Sequence, residues 1–203
     1  MKKEYTWEIK VNNTPTLRRK CNRCDCNSFY CSNKFRMNAQ KRNLDVWLIY
    51  RCVACDSTYN LTILSRTKPE QIEKKLFRKF SENDEELAWK YAFSAETGQK
   101  NGVELNYNSV EYEILHDPVS VNELLNSEED VITFRIRASF EFGLKMTTVI
   151  RSCLGLSANQ LNRIIESKAI FIPGDYPVKK HKIKDGDRIQ VDKKQLSKVF
   201  RAG

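Results

Sequence analysis

The 203-residue sequence has no long hydrophobic run. Residues 46–50 form about the longest apolar stretch, whereas a helix that spans a bilayer needs about 20 apolar residues. Residues 1–5 contain no apolar core of the kind that a secretory signal requires. We therefore expect a cytoplasmic protein that has no membrane partner.

Glycine and histidine are also scarce, with seven and two residues respectively. The sequence contains no glycine-rich loop that could cradle a phosphate. His116 and Asp117 form an isolated pair of a type that is more often structural than catalytic, and no two carboxylates have a spacing that indicates acid–base catalysis. We therefore expect no catalytic residues and no enzymatic activity; an RNA-modifying enzyme is the less favoured alternative.

Charge is unevenly distributed along the chain. Residues 1–66 contain 13 Lys and Arg against 5 Asp and Glu, residues 67–132 contain 7 against 15, and residues 133–203 contain 15 against 6. The net charges of these segments are thus +8, −8 and +9. Two basic ends around an acidic middle indicate a polyanionic partner, most plausibly nucleic acid. The alternative interpretation is an ordinary solvated charged surface.

Four of the seven cysteines form two Cys-x-x-Cys pairs, Cys21 with Cys24 and Cys52 with Cys55. Two such turns supply the four thiolates of a tetrahedral zinc site, and their separation is typical of a zinc ribbon. The residue after such a turn often has positive φ, and an aspartate, which tolerates this conformation, follows each pair. Disulfides or a redox dithiol are the alternatives, but a reducing compartment favours one structural zinc ion.

Two further cysteines, Cys26 and Cys31, follow the first pair closely. Cys26 is too near Cys24 to form a second turn of the usual kind, so both residues are expected to be free thiols. An exchange of ligand to Cys26 stays open, as does a redox or zinc-sensing role. Neither His116 nor His181 lies near the pairs in sequence, which favours a site made of cysteine alone.

Hydrophobic periodicity predicts an α+β protein in three segments. Residues 1–66 form a zinc-ribbon-like antiparallel sheet, residues 67–132 an acidic mixed α/β segment, and residues 133–203 a domain of two helices and a small sheet. Thr67 begins a capping-box pattern, Asn83 is the expected cap of a second helix, and Ser157 is the expected cap of a later one.

The C-terminal segment resembles the S-four RNA-binding fold, which a ribosomal protein, pseudouridine synthases and a tRNA synthetase share. The resemblance covers residues 143–193, and its most specific part is the closing pattern Gly-Asp-x-Ile-x-Val at residues 186–191. Three positions depart from the family pattern. Ala158 stands where an arginine is usual, Lys168 where a glycine is usual, and Pro173 where an asparagine is usual.

The missing arginine removes a group that would face a phosphate in the S-four fold. Other cations of this segment can compensate for it, and we expect them to bind RNA: Arg151, Arg163, Lys168, Lys179, Lys180 and Lys182. The cluster at residues 179–182 has an equally plausible alternative interpretation as an exposed charged hairpin.

The whole chain also resembles an uncharacterised bacterial family, domain-of-unknown-function family 1062. The stretches that carry this resemblance are residues 34–39, residues 44–52 and residues 91–93. Membership implies an architecture but no known activity.

The sequence therefore predicts a zinc-containing, non-enzymatic RNA-binding protein that acts on ribosomal RNA, tRNA or the ribosome. Lysine and arginine of the C-terminal segment would neutralise phosphates with little base preference. The main alternative is a protein–protein adaptor, in which the acidic middle or the zinc ribbon binds a protein partner.

Overall fold

The structure, a computed structural model, describes residues 4–40, 42–174 and 176–201. The strands are β1 (Glu4–Val11), β2 (Thr16–Arg18), β3 (Ser28–Gln40), β4 (Asn43–Cys52), β5 (Thr58–Thr67), β6 (Glu104–Asn106), β7 (Tyr112–His116), β8 (Val131–Ala138), β9 (Ile170–Phe171) and β10 (Arg188–Asp192). The helices are α1 (Lys74–Ser81), α2 (Glu85–Ala92), α3 (Ala95–Lys100), α4 (Val121–Leu125), α5 (Met146–Cys153), α6 (Ala158–Glu166) and α7 (Lys193–Arg201). The predicted α+β class is confirmed. No helix in the described ranges is long and apolar enough to cross a membrane.

The chain forms two compact units. Met1–Val11 and Tyr112–Gly203 together form the first, which we call the terminal unit. Asn12–Glu111 forms the second, which we call the inserted unit because it lies between β1 and β7 in the sequence. These two units differ from the three predicted segments.

The terminal unit contains a mixed sheet in the order β7-β1-β8-β10-β9. β1 runs parallel to β8 and antiparallel to β7. Trp7 and Ile9 of β1 are buried, and the ring centroid of Trp7 lies 4.4 Å from that of Phe134 on β8. Buried and exposed residues alternate along β1, as in a half-buried strand. β1 belongs to this sheet rather than to the sheet near the cysteines, to which residues 1–66 were assigned from the sequence. Its partner strand lies far along the chain, so local sequence could not identify it.

The inserted unit contains an antiparallel sheet in the order β5-β4-β3-β2-β6. Phe35 of β3 packs edge-on against Phe80 of α1, with ring centroids 5.0 Å apart. Leu48 and Tyr50 of β4 are fully buried in the same core. α1 and α2 thus supply the apolar surface that this sheet needs, which explains why residues 67–111 belong with the cysteine-bearing strands.

Two predicted helix starts lie elsewhere in the structure. The segment after Thr67 begins as a short 3-10 turn over Pro69–Gln71, and α1 starts only after Glu73. Asp84 caps α2 by accepting a hydrogen bond from the Leu87 N–H at 2.8 Å, whereas Asn83 adopts a left-handed conformation with φ of 54°.

Ser157 caps α6 as predicted. Its hydroxyl accepts a hydrogen bond from the Gln160 N–H, and the Gln160 side chain accepts one from the Ser157 N–H. This reciprocal capping box fixes the start of α6.

Candidate metal centre and basic groove

The two cysteine pairs meet at one end of the inserted unit's sheet. Their sulfur atoms all lie within 4.8 Å of one another and could hold a metal ion: Cys21, Cys24, Cys52 and Cys55. We call this group the four-cysteine cluster. Its first pair lies between β2 and β3, and its second at the end of β4 and in the following turn. Phe29 of β3 lies opposite both Leu17 and Cys52, so strand pairing brings the two turns together.

The two turns repeat one backbone pattern. The Cys21 N–H donates to the Cys26 carbonyl at 2.8 Å, and the Cys52 N–H donates to the Ser57 carbonyl at 2.9 Å. Asp56, after the second pair, has a φ of 59°, as expected for such a turn. The residue after the first pair does not share this left-handed conformation. The two cysteine turns thus share their hydrogen-bond pattern but not the backbone conformation of the aspartate that follows each pair.

The sulfur positions fit a tetrahedral metal centre. Cys21 Sγ lies 3.6 Å from Cys55 Sγ, and Cys24 Sγ lies 3.6 Å from Cys52 Sγ. Four thiolates at the usual Zn–S distance of about 2.3 Å lie about 3.8 Å apart along the edges of a tetrahedron. A disulfide would need sulfur atoms about 2.05 Å apart. The spacing therefore fits metal coordination and not a pair of disulfides, and all four residues would serve as ligands.

Ser57 prepares one of the ligands for deprotonation. Its Oγ lies 3.0 Å from Cys21 Sγ and 3.2 Å from Cys55 Sγ. The hydrogen bond from Ser57, followed by one from the Arg23 N–H, lowers the pKa of Cys21 to about 6. Cys21 itself is buried. The cluster thus favours the thiolate form of Cys21, because a hydrogen-bond donor stabilises the charged sulfur.

Cys24 shows the opposite behaviour. The backbone hydrogen bond from Cys26 lowers its pKa, but hydrogen bonds to Cys55 and the other cluster sulfurs, together with burial, outweigh this and raise the pKa to about 12. Without metal, the neighbouring sulfurs therefore share protons, and a metal ion must displace them when it binds.

The remaining cysteines of the inserted unit lie outside the cluster. Cys26 Sγ accepts a hydrogen bond from the Ser28 N–H at 3.4 Å. Burial raises the pKa of Cys31 to about 11, which keeps it a neutral thiol. Both histidines, His116 and His181, belong to the terminal unit. The cluster is therefore made of cysteine alone, as the spacing predicted.

The terminal unit contains a basic groove between α5 and α6, which we call the α5–α6 groove. It has a volume of about 630 Å³ and is lined in part by three cations, Lys145, Arg151 and Lys179. Thr148 and Asn162 add uncharged polar groups to its wall. Two of the six predicted RNA-binding residues, Arg151 and Lys179, thus meet in one concave surface.

The other four predicted cations do not line the α5–α6 groove. The Arg163 guanidinium donates to the Val199 carbonyl at 3.0 Å and so fastens α7 to α6. Lys168 is exposed just after α6, with a φ of 55°. Lys180 and Lys182 are exposed in the segment that follows Lys179. Of these four side chains, that of Arg163 holds two helices together.

Sequence reasoning missed two contributors to these sites. Lys145 lines the groove because its backbone forms an isolated antiparallel bridge with Lys182, which places the residue 179–182 segment beside the start of α5. Ser57 supports the cluster from a position two residues after Cys55. Lys145 carries no local signal, whereas the serine just after the second pair could have been considered.

The chain matches the family described as protein of unknown function (DUF1062) over residues 37–175. No curated protein and no solved structure matches it.

Proposed function

The chain belongs to the DUF1062 family, and we propose that it is a zinc-containing, non-enzymatic RNA-binding protein of the cytoplasm. Its target would be ribosomal RNA, tRNA or a ribosome-associated RNA. The α5–α6 groove is the observation that carries this proposal, because it combines cations with polar groups in a concave surface. Such a surface can neutralise phosphates and follow an RNA backbone without reading its sequence.

The resemblance to the S-four fold supports the same assignment. α5 and α6 are followed by β9 and β10, which pair with each other in the terminal unit's sheet. Lys168 has left-handed φ at the position where the S-four pattern usually has glycine. The chain therefore keeps the backbone conformation that the glycine provides, although the side chain differs.

Cations on the groove wall would take the place of the arginine that the S-four pattern usually has at position 158. Arg151 is exposed on α5, and Lys179 is exposed beside it on the groove wall. Lys179 makes an ion pair with Glu166 at 3.1 Å, but both side chains are largely exposed, so this pair is weak and a phosphate can displace the carboxylate.

Zinc would have a structural role in this protein. Four thiolates complete a tetrahedral coordination shell and leave no open position for a substrate or an activated water. The ion would join the two cysteine turns and so hold the β2–β3 and β4–β5 ends of the sheet together, as in a zinc ribbon.

The proposal is tested by crosslinking the tagged full-length chain to RNA in cells with ultraviolet light and sequencing the RNA that co-purifies. The test variant carries Lys145→Glu, Arg151→Glu and Lys179→Glu, which reverse the charge of the three cations that line the groove. A matched control carries the same change of charge at three exposed lysines that do not line the groove, Lys184→Glu, Lys194→Glu and Lys198→Glu. We expect enrichment of a ribosomal or transfer RNA region that the test variant loses and the control keeps.

Equal recovery of RNA with the wild type and the test variant would show that the α5–α6 groove does not bind the RNA. Co-purification of a protein that persists in high salt and after nuclease treatment, without enriched RNA, would instead identify a protein–protein adaptor. Thermal unfolding of each variant shows whether any loss reflects misfolding.

A further inference from the structure

The inserted unit has a second concave basic surface, directly beside the four-cysteine cluster. Its volume is about 360 Å³, and both cysteine turns contribute to its wall. Arg23 comes from the first turn, and Ser57 comes from the second. We call this surface the knuckle pocket. Its size lies within the range of pockets that hold small ligands, about 300–1,000 Å³.

Three cations of the knuckle pocket have no carboxylate partner. Arg19, Lys20 and Arg23 all line it, and none of them forms an ion pair in the part of the chain that the structure describes. The preceding residue, Arg18, shows the contrast, since it pairs with Glu104 at 3.3 Å. No carboxylate of the described residues therefore neutralises these three positive charges.

The one carboxylate on the pocket wall, that of Asp56, already has hydrogen-bond partners within the protein. Asp56 accepts hydrogen bonds from the Tyr30 hydroxyl at 2.9 Å and from the Arg51 guanidinium. The hydrogen bond from Tyr30, followed by that from Arg51, holds the pKa of Asp56 below its ordinary value. Its charge is balanced by Arg51. Four thiolates around Zn²⁺ would contribute a net charge of about −2 beside the three cations, so the surplus in the pocket is about one positive charge.

An aromatic ring lies beside these cations. The Arg19 guanidinium carbon lies 4.4 Å from the centroid of the Tyr59 ring, and Phe29 contacts the same ring edge-on at 6.1 Å. A guanidinium that stacks on a ring is held in place and can still donate hydrogen bonds from its edge. Cations beside aromatic rings are the arrangement that single-stranded nucleic acid binders use for phosphates and bases.

We infer that the knuckle pocket binds one nucleotide of single-stranded RNA, with its phosphate against Arg19, Lys20 and Arg23 and its base against Tyr59. This inference rests on the proposed function and adds a second contact to it. The residues of the pocket come from both cysteine turns, and the metal ion would hold these turns together. Removal of the ion should therefore let the two turns separate and disrupt the pocket.

The test measures binding of the purified, zinc-loaded full chain to a labelled ten-nucleotide oligouridylate by fluorescence anisotropy at several salt concentrations. The pocket variant carries Arg19→Gln, Lys20→Gln and Arg23→Gln. Its control carries the same loss of charge at three exposed lysines of the inserted unit outside the pocket, Lys68→Gln, Lys74→Gln and Lys75→Gln. Because a single phosphate lies against the three cations in this arrangement, the slope of log affinity against log salt should become smaller by about 0.7 in the pocket variant. The control should bind as the wild type does.

The aromatic contribution is tested separately. Tyr59→Leu should weaken binding roughly tenfold, whereas Tyr59→Phe, which keeps the ring, should not. Ultraviolet crosslinking of the oligouridylate followed by mass spectrometry should place the modified uridine on a peptide that contains Tyr59. Metal content and thermal unfolding are measured for every variant.

The outcomes separate this inference from the proposed function. Equal affinities and salt slopes in the pocket and control variants, with binding lost on charge reversal at Lys145, Arg151 and Lys179, would overturn the knuckle pocket and leave the α5–α6 groove. Loss of metal in the pocket variant without a change in RNA affinity would show that these cations only balance the thiolate charge. This result would also overturn the assignment of the knuckle pocket as an RNA-binding site. Wild-type protein that binds no RNA would overturn both.

Discussion

The hydroxyl oxygen of Ser57 lies 3.0 Å from the sulfur of Cys21. This contact links the turn of one cysteine pair to a ligand of the other. Groups that hydrogen-bond to metal ligands fix their orientation and stabilise the ionised form. Ser57 is thus the side chain outside the four cysteines with the most direct influence on the candidate metal centre.

Replacement of Ser57 by alanine should weaken metal binding about 10- to 100-fold, the usual cost of losing such a supporting group. The pKa of Cys21 should rise, since the hydrogen bond that lowers it most is lost. Competition with a chromophoric zinc chelator measures the affinity. Ser65→Ala, a change at an exposed serine on β5, serves as control, and equal affinities of the two variants would contradict the role of Ser57.

The set of four ligands can be tested with two neighbouring cysteines. Cys24→Ser should abolish stoichiometric zinc binding, because the hydroxyl is a poor zinc ligand, whereas Cys26→Ser should keep one ion per chain. Elemental analysis of the purified proteins gives the metal content. Zinc retained by Cys24→Ser but lost by Cys26→Ser would assign Cys26 as the ligand instead.

Lys168 offers a test of backbone conformation that is independent of metal. The left-handed backbone conformation costs a non-glycine residue about 1–2 kcal/mol. Lys168 adopts it, with a φ of 55°. Lys168→Gly should therefore raise the free energy of unfolding by about 1 kcal/mol, measured by urea denaturation. Lys168→Ala is the matched control, since it removes the same charge and keeps the unfavourable conformation. Equal stability of the two variants would show that the left-handed conformation has no cost here.

Asp84 gives a prediction for acid stability. The hydrogen bond from the Leu87 N–H, followed by the interaction with Lys79, lowers the pKa of Asp84 below its ordinary value of 3.8. A carboxylate with a lowered pKa stabilises the folded state fully above that ordinary value and loses this contribution as pH falls through the folded-state pKa. Asp84→Ala should therefore lower the thermal midpoint by roughly 2–4 °C at pH 7, with a smaller difference from wild type below about pH 4.

The control for this prediction is Glu86→Ala in the first turn of the same helix. Glu86 is almost fully exposed and reaches Lys79 only at 3.9 Å. Glu86→Ala should therefore change the thermal midpoint little at either pH. A difference between wild type and Asp84→Ala that stays constant down to pH 2 would show that the cap does not depend on the charge of Asp84.

Local patterns in the sequence determined a good part of this protein. The two Cys-x-x-Cys pairs identified the members of the four-cysteine cluster, because each turn is set by residues three positions apart. The pattern from Ser157 to Gln160 located the start of α6, because a capping box closes within one helical turn. In both cases the interacting residues are neighbours in sequence, so the spacing itself carries the geometry.

Tertiary structure alone decided which distant residues meet. β1 alternates as a half-buried strand should, but its pairing with β8 depends on the sheet of the terminal unit. Likewise, Arg19 and Tyr59 come together in the knuckle pocket because strand pairing and the two cysteine turns bring separate segments to one end of a sheet. Such contacts are fixed by the packing of the whole unit, and no local pattern of residue types specifies them.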